Sequence, residues 1–249
     1  MKTPRLCLES EFAIEQRESA MWLFSSERVP EPEVMQTQEE ALGYEETASN
    51  PYLDSLDNRF VDHVLSMGIV GTILDLGTGP GQIPIKLAKR DPRVSVIGID
   101  LSSAMLKLAT ERAAREQVSS RVSFVLASAN SIPVASGSIN LLICNSTLHH
   151  FSDPVQVFNE AHRVIKEDGV AYFRDLRRRS RLLHGLHVAF FGRKYKGLMR
   201  KSFEDSVRAA YTRPELRQHV AKSSLSDARV FYPDLAHIVV ESQKHSFRD

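Results

Sequence analysis

The chain predicts an α/β fold of the doubly wound, Rossmann-like kind, with a mostly parallel seven-stranded sheet. Three observations carry that expectation. Short apolar runs alternate with segments of helical period from residue 71 onward, a glycine-rich turn joins the first run to the first of those helices, and two β-rich runs stand close together near the C-terminal end. With 249 residues, 42% of them apolar, the chain can bury one large core and carry a small appended element.

In chain order, residues 1–26 show no clear periodicity and read as a flexible segment. Residues 27–70 read as a helical cap: a polar run after Pro30 and Pro32, then Leu53, Leu56, Phe60, Val64 and Leu65 at helical spacing up to Gly68. Residues 71–249 form the main ligand-binding domain. Strand Ile73–Leu76 leads through Gly77–Gly81 into a helix ending near Arg90, followed by strand Val94–Ile99 and a helix from Ser102 to about Glu116. Strands Val122–Leu126 and Ile139–Cys144 flank a turn-rich link containing Pro133 and Gly137; a helix from Pro154 to Ile165 precedes strand Val170–Phe173. Right-handed crossovers then place helices on both faces of the sheet. After a basic insertion at 176–212 and a helix from Pro214 to Val220, the runs Arg229–Tyr232 and Leu235–Val240 are too close to be parallel, so they pair as an antiparallel hairpin at a sheet edge.

Composition narrows the function classes. The 32 Lys and Arg against 31 acids leave a net charge of +1, so any charge argument must be local. Cys7 and Cys144 lie far apart, which argues against a disulfide scaffold, and Cys144 sits in an apolar run as a small buried hydrophobe. No signal-peptide-like or membrane-spanning run is present, so a cytoplasmic location without a transmembrane segment is expected. The absence of HExxH and paired CxxC motifs leads to the expectation of no metal.

The chemistry concentrates at the ends of the first two strands. In Ile73-Leu74-Asp75-Leu76-Gly77-Thr78-Gly79-Pro80-Gly81, glycines let the backbone turn sharply and approach a ligand, and the following helix offers free N–H groups at its start. A tight strand-to-helix connection would use the same residues. Asp100, about 20 residues further on, ends the second strand beside that turn, where a carboxylate can accept both hydroxyls of a ribose. An adenosyl ligand follows, nicotinamide or sulfonium; the competing role for Asp100 is to cap the helix that Ser102 can cap itself. The spacing Gly77-x-Gly79-x-Gly81 in place of GxGxxG, the acidic Asp75 before it and the C-terminal hairpin favour the sulfonium.

On these residues, and on Gly98-Ile99-Asp100-Leu101-Ser102, Ile132-Pro133, Gly137-Ser138-Ile139-Asn140, Leu148-His149-His150-Phe151 and Glu160 through Gly169, the chain resembles the class I S-adenosyl-L-methionine (SAM)-dependent methyltransferases of the type 11 or UbiE-like group, over about residues 70–175. The resemblance implies SAM as cofactor and S-adenosylhomocysteine as product. It implies that Gly77, Thr78, Gly79 and Gly81 line the methionine part and ribose, that Asp75 orients the loop and the SAM amino group, that Asp100 holds the ribose, and that Leu101 and Met105 pack on adenine. Ala127-Ser128-Ala129-Asn130 stands where the group usually has an Asp that accepts from the adenine amino group. This leaves Ser128, beside Ala129, as an uncharged acceptor. Asn140 replaces a usually structural Asp.

Ligands of such sheets bind beyond the carboxyl ends of the strands, which places the methyl acceptor near Asn145 to Phe151 and near Asp175. In-line displacement from a sulfonium needs mainly positioning and desolvation, and a base only when the nucleophile arrives protonated. His149, His150 and Asp175 are the candidates for that role; for the histidines the competing role is lining the pocket, and for Asp175 a salt bridge to neighbouring arginines. Asn145 would offer its backbone to SAM. A small-molecule acceptor is the reading these residues favour, with a nucleic-acid substrate or a non-catalytic SAM-binding scaffold as alternatives. Ten Lys or Arg between Arg174 and Lys201, against the single acid Asp175, interleave with Leu182, Leu183, Leu186, Val188, Ala189, Phe190 and Phe191 as an amphipathic helix. Such a helix can be a solvated face, a clamp for an anionic substrate, or a surface for RNA or an anionic membrane.

Overall fold

A computed structural model describes residues 27–31, 51–195 and 198–242, so the 1–26 segment, Tyr44 and the polar run up to Asn50 lie outside the described residues. The strands are β1 (Gly71–Leu76), β2 (Val94–Asp100), β3 (Val122–Leu126), β4 (Ile139–Asn145), β5 (Ile165–Leu176), β6 (Arg229–Phe231) and β7 (His237–Glu241). They form one seven-stranded sheet in the order β3-β2-β1-β4-β5-β7-β6. The first five run parallel, and β7 pairs antiparallel with both β5 and β6, so the C-terminal hairpin does close the sheet edge.

Strand periodicity splits the core into two layers. Leu74, Leu76, Leu142, Cys144, Ala171 and Phe173 point to one side, while Ile73, Leu141, Ile143, Val170 and Tyr172 point to the other. Because both faces are covered, these strands read as continuous apolar runs rather than alternating ones. The first side is covered by α4 (Pro154–Val164) through Val157, Phe158, Ala161 and Val164, and by α7 (Arg213–Ala221) through Leu216 and Val220. The second is covered by α1 (Pro51–Ser66) through Phe60, Val61 and Val64, and by α2 (Gln82–Arg90) through Ile83 and Leu87. A satellite cluster packs Ile85 and Ala88 of α2 against Ala113 of α3 (Ser103–Arg115), Val118 and Val122. Between β5 and α7, the basic insertion folds as two helices, α5 (Arg181–Phe191) and α6 (Leu198–Ala209).

Three local features differ from the sequence expectation. The fifth strand runs from Ile165 instead of Val170, because the β4–β5 register shifts between Ile139 and Leu141 and pairs Ile139 with Ile165 across a bulge. Gly169 fits that bulge, since a Cβ there would lie 3.0 Å from the carbonyl oxygen of Ile139. The last strand begins at His237 rather than Leu235: Asp234 Oδ1 accepts from the backbone N–H groups of Ala236 (2.7 Å) and His237 (2.8 Å), closing a turn that takes Leu235 out of the ladder. Asn140 keeps a structural role without a charge, its Oδ1 accepting from the Thr72 amide at 3.0 Å and from Lys166 Nζ at 3.2 Å.

Phe60 of α1 is fully buried against Tyr172 of β5, and the Arg174 guanidinium lies 4.5 Å from its ring centroid. Phe60→Ala is therefore expected to destabilise the protein by about 3–5 kcal/mol, read from urea unfolding of full-length chain. A loss below about 1 kcal/mol would show that α1 contributes no packing to the main core.

Candidate functional site

The glycine turn is held from below and open above. The amides of Gly77 and Thr78 both donate to the carbonyl oxygen of Ile99, at 2.8 and 3.0 Å, locking the end of β1 to the end of β2. Gly77 (φ 67°), Gly79 (φ 53°) and Gly81 (φ 78°) all adopt the left-handed conformation that favours glycine. Their surroundings differ. A Cβ on Gly77 would lie 2.2 Å from Thr147 Cγ2, and one on Gly81 would lie 2.9 Å from Ala109 and Phe124, whereas one on Gly79 would meet nothing within 4 Å. Packing claims two of the glycines, and the third fronts open space.

Two carboxylates organise this turn. Asp75, only 2% exposed, accepts from Thr78 Oγ1 at 2.7 Å, and burial pushes its pKa from the usual 3.8 up to about 7. Asp100 accepts from the Gly79 amide through one oxygen and from the Ser102 amide through the other, both at 2.8 Å; burial raises its pKa too. Ser102 Oγ separately caps α3 by accepting from the Met105 amide at 3.3 Å, so the cap and the carboxylate coexist. Leu101 is 40% exposed beside them, and Met105 is buried. At the end of β3, Ser128 Oγ accepts from the Asn130 amide (3.2 Å) and Ala129 is buried. Sequence reasoning passed over Asn130, whose Oδ1 is buried with no hydrogen-bond partner among the described residues, an uncommitted acceptor two positions beyond Ser128.

The ends of β4 and β5 make a second cluster. Asn145 Oδ1 accepts from Arg174 Nε at 2.9 Å, and its carbonyl oxygen accepts from Thr147 Oγ1 at 3.2 Å. Ser146 turns the chain with a φ of 56°, an uncommon angle for a residue with a Cβ. The short 3-10 turn Leu148–His150 then delivers His149 to Asp175. The His149 amide donates to Asp175 Oδ2 at 2.6 Å and His149 Nδ1 lies 2.8 Å from Oδ1, so Asp175 pairs with His149 and not with an arginine beside it. Nδ1 facing a carboxylate is the protonated nitrogen, which leaves the lone pair on Nε2. Among the described residues Nε2 has no hydrogen-bond partner, and it lies 3.6 Å from Glu31 Oε2. Burial opposes charging of the imidazole, but the Asp175 and Glu31 carboxylates outweigh it and the pKa of His149 is raised. The His150 ring stacks obliquely on His149 with centroids 4.2 Å apart.

Two of these neighbours gave no signal in the sequence. Glu31 reaches the cluster because Arg28 ties its segment down, donating to the carbonyl oxygens of Ala209 and His149, each at 2.7 Å. Asp57 of α1 sits on a helix face that reads as polar, yet burial raises its pKa from 3.8 to about 6. Glu31, His149 and His150 present donor atoms within 4.8 Å of one another. Among the described residues no helix is long and apolar enough to cross a membrane.

The model of a methyltransferase-domain family matches residues 71–213. The chain is 32% identical over 120 residues to the ubiquinone/menaquinone biosynthesis C-methyltransferase UbiE of Geotalea uraniireducens, covering 48% of this chain and 51% of that protein. It is 37% identical over 104 residues to the malonyl-(acyl-carrier protein) O-methyltransferase of Legionella pneumophila, covering 42% of this chain and 36% of that one. The chain thus spans about half of the first of these curated relatives and about a third of the second. In fold it is similar to a candidate SAM-dependent methyltransferase from Methanococcus maripaludis, with a TM-score of 0.65 at 17% identity over 87% of this chain and 97% of the other.

The raised pKa of Asp75 has a sign that can be checked. An acid that titrates near 7 when folded and near 3.8 when unfolded holds its proton more tightly in the native state, so it costs stability as pH rises between those values. Asp75→Asn is expected to be more stable than wild type at pH 8, with the advantage shrinking toward pH 4, in denaturant melts across that range. A constant difference would remove Asp75 as the titrating group.

Proposed function

The chain belongs to the methyltransferase-domain family, and from that premise we propose that it is a SAM-dependent enzyme that moves a methyl group to a small-molecule acceptor. The observation that carries the proposal is the carboxylate of Asp100, suspended between the Gly79 and Ser102 amides beside the open side of Gly79. This cradle suits an adenosyl ligand: Asp100 for the ribose hydroxyls, Gly77, Thr78, Gly79 and Gly81 around the methionine part, and Asp75 holding Thr78 in place. Exposed Leu101 covers one adenine face and Met105 backs it from the core, while Ser128, Ala129 and the free acceptor of Asn130 surround the adenine edge. The Asn145 backbone completes the side toward the acceptor. SAM, when bound, supplies an electrophilic methyl group on a sulfonium.

Acceptor chemistry falls to the second cluster. Asp175 fixes the tautomer of His149, and Nε2 takes the proton that a hydroxyl, amine or activated carbon acceptor loses as it is methylated. Asp175 and Glu31 then stabilise the imidazolium, and His150 lines the approach. The His149–Asp175 pair supports a catalytic base more than pocket lining alone, because lining would not require a buried, carboxylate-oriented imidazole. In the same reading residues 27–70 act as a cap, supported by the edge contact between Tyr52 of α1 and Tyr195 beyond α5, 6.0 Å between centroids. The free, buried Cys144 thiol supports a cytoplasmic setting. The different acceptors named for the two curated relatives leave the substrate of this chain open.

Calorimetric titration with SAM, S-adenosylhomocysteine and NAD tests the cofactor. Micromolar binding of the first two alone is expected, and Asp100→Ala should weaken it by about 3–6 kcal/mol for the two lost charge-assisted bonds, with His150→Ala nearly silent. Undiminished affinity in the Asp100 variant would refute this cradle. With an acceptor in hand, His149→Ala is expected to lower kcat by about 10²–10⁴-fold. Because the His149 pKa is raised, wild-type kcat should climb with pH through a midpoint above the ordinary 6.5, and Asp175→Asn should move that midpoint down. A midpoint unmoved by Asp175→Asn would argue against the pair acting as a base.

A further inference from the structure

Helix α5 has two faces, and the one turned to solvent is the unexpected one. His187 and Val188 are buried, with His184 and Phe191 partly so, and this inward stripe packs beside Phe203 of α6. On the opposite side Leu183 (45% exposed), Leu186 (69%) and Phe190 (57%) recur at i, i+3 and i+7. Leu235, 68% exposed at the tip of the β6–β7 turn, is tied to the segment that leads into α5, since Arg179 donates to its carbonyl oxygen. Half of the eight large hydrophobic side chains exposed among the described residues therefore gather at this one end.

The charges around the stripe specify what covers it. From Leu176 to Phe203 the sequence holds nine Lys and Arg and no acid, in a chain whose net charge is only +1. Some of these cations serve the fold, since Arg178 pairs with Glu215 and Arg177 stacks 3.6 Å over Tyr232. Arg193, which also lies 4.7 Å from the Phe190 ring, Arg200 and Lys201 are exposed. We propose that α5 and the Leu235 turn form a docking surface for an anionic lipid bilayer. Leu183, Leu186, Phe190 and Leu235 enter the boundary between headgroups and acyl chains, and the exposed Arg and Lys meet the phosphates. Nucleic acid fits less well, because aliphatic side chains dominate the exposed patch and Phe190 is the one aromatic ring among its large hydrophobes, giving bases little to stack on. The surface lies on the segment that leaves β5 just beyond Asp175, so a docked protein would present the acceptor side of the sheet near the lipid. The surface itself does not depend on the methyltransferase reading.

Flotation of the full chain with phosphatidylcholine vesicles, with and without about 30% phosphatidylglycerol, tests this at low and high salt. Binding to the anionic vesicles is expected to exceed binding to neutral ones by at least about tenfold and to fall with salt. Leu186→Asp combined with Phe190→Asp should lower it by about tenfold or more with an unchanged melting temperature, since both side chains are already exposed. Arg200→Glu with Lys201→Glu should do likewise. Equal binding to both vesicle types, undiminished binding by both double variants, or salt-dependent binding to a single-stranded RNA without vesicle binding would each overturn the assignment.

Discussion

One carboxylate, Asp100, receives two backbone amides from different elements, and the geometry of the glycine turn beside it depends on it. Gly79 belongs to the turn after β1 and Ser102 to the start of α3, so the carboxylate joins two elements. Charge-assisted bonds of this kind contribute about 1.5–3 kcal/mol each, enough to hold a glycine-rich turn that has no side chains of its own to anchor it. The parallel register that sets Leu76 beside Ile99 brings the turn to Asp100, and the absence of a side chain at Gly98 leaves room for Thr78, whose Oγ1 would lie 2.6 Å from a Cβ there. Sheet register, glycine placement and carboxylate thus act as a single constraint.

The alternation of side chains along β5 divides labour at the other half of the site. Arg174 and Asp175 are adjacent in sequence but point to opposite faces of the sheet. Arg174 lies over Phe60 and binds Asn145 on the α1 side, and Asp175 orients His149 on the side where Tyr211 donates to the Phe151 carbonyl oxygen at 2.9 Å. A slip of one residue in the β4–β5 pairing would exchange these environments, burying a guanidinium against His149 and a carboxylate against Phe60. The irregularity between Ile139 and Leu141, where β4 advances from Ile139 to Leu141 while β5 advances from Ile165 to Val170, absorbs the surplus of β5 before the strands reach this point.

What the sequence makes legible follows from how local each cause is. Strand positions, the glycine turn, Asp75 and Asp100 depend on short-range pattern and on a spacing fixed by one βαβ unit, and the structure places them together at one end of the sheet. The pairing of His149 with Asp175 was only half legible: the residues are 26 apart in sequence and meet because two strands are neighbours, while each alone admits several roles. Glu31, Asn130 and Asp57 were not legible at all. Their environments arise from burial by distant elements, such as the Arg28 bonds that carry Glu31 to a histidine far along the chain, and no periodicity encodes that. Strand β7 starts later than β-propensity predicts because Asp234 uses its carboxylate to close a turn, a competition between side chain and ladder that propensity ignores.

The position of β7 between β5 and β6 has a kinetic consequence. Strand β5, with His149's partner Asp175 upon it, is flanked by β4 on one side and by the very late segment His237–Glu241 on the other. During synthesis the first five strands can assemble as soon as they emerge, but β5 remains an unpaired edge until more than 60 further residues have been made. Ala171, Tyr172 and Phe173 lie along that edge, so a nascent chain stalled before residue 237 would expose an apolar strand of the kind that recruits other chains. Helices α5 to α7 fill the interval between that exposed edge and the strand that closes it.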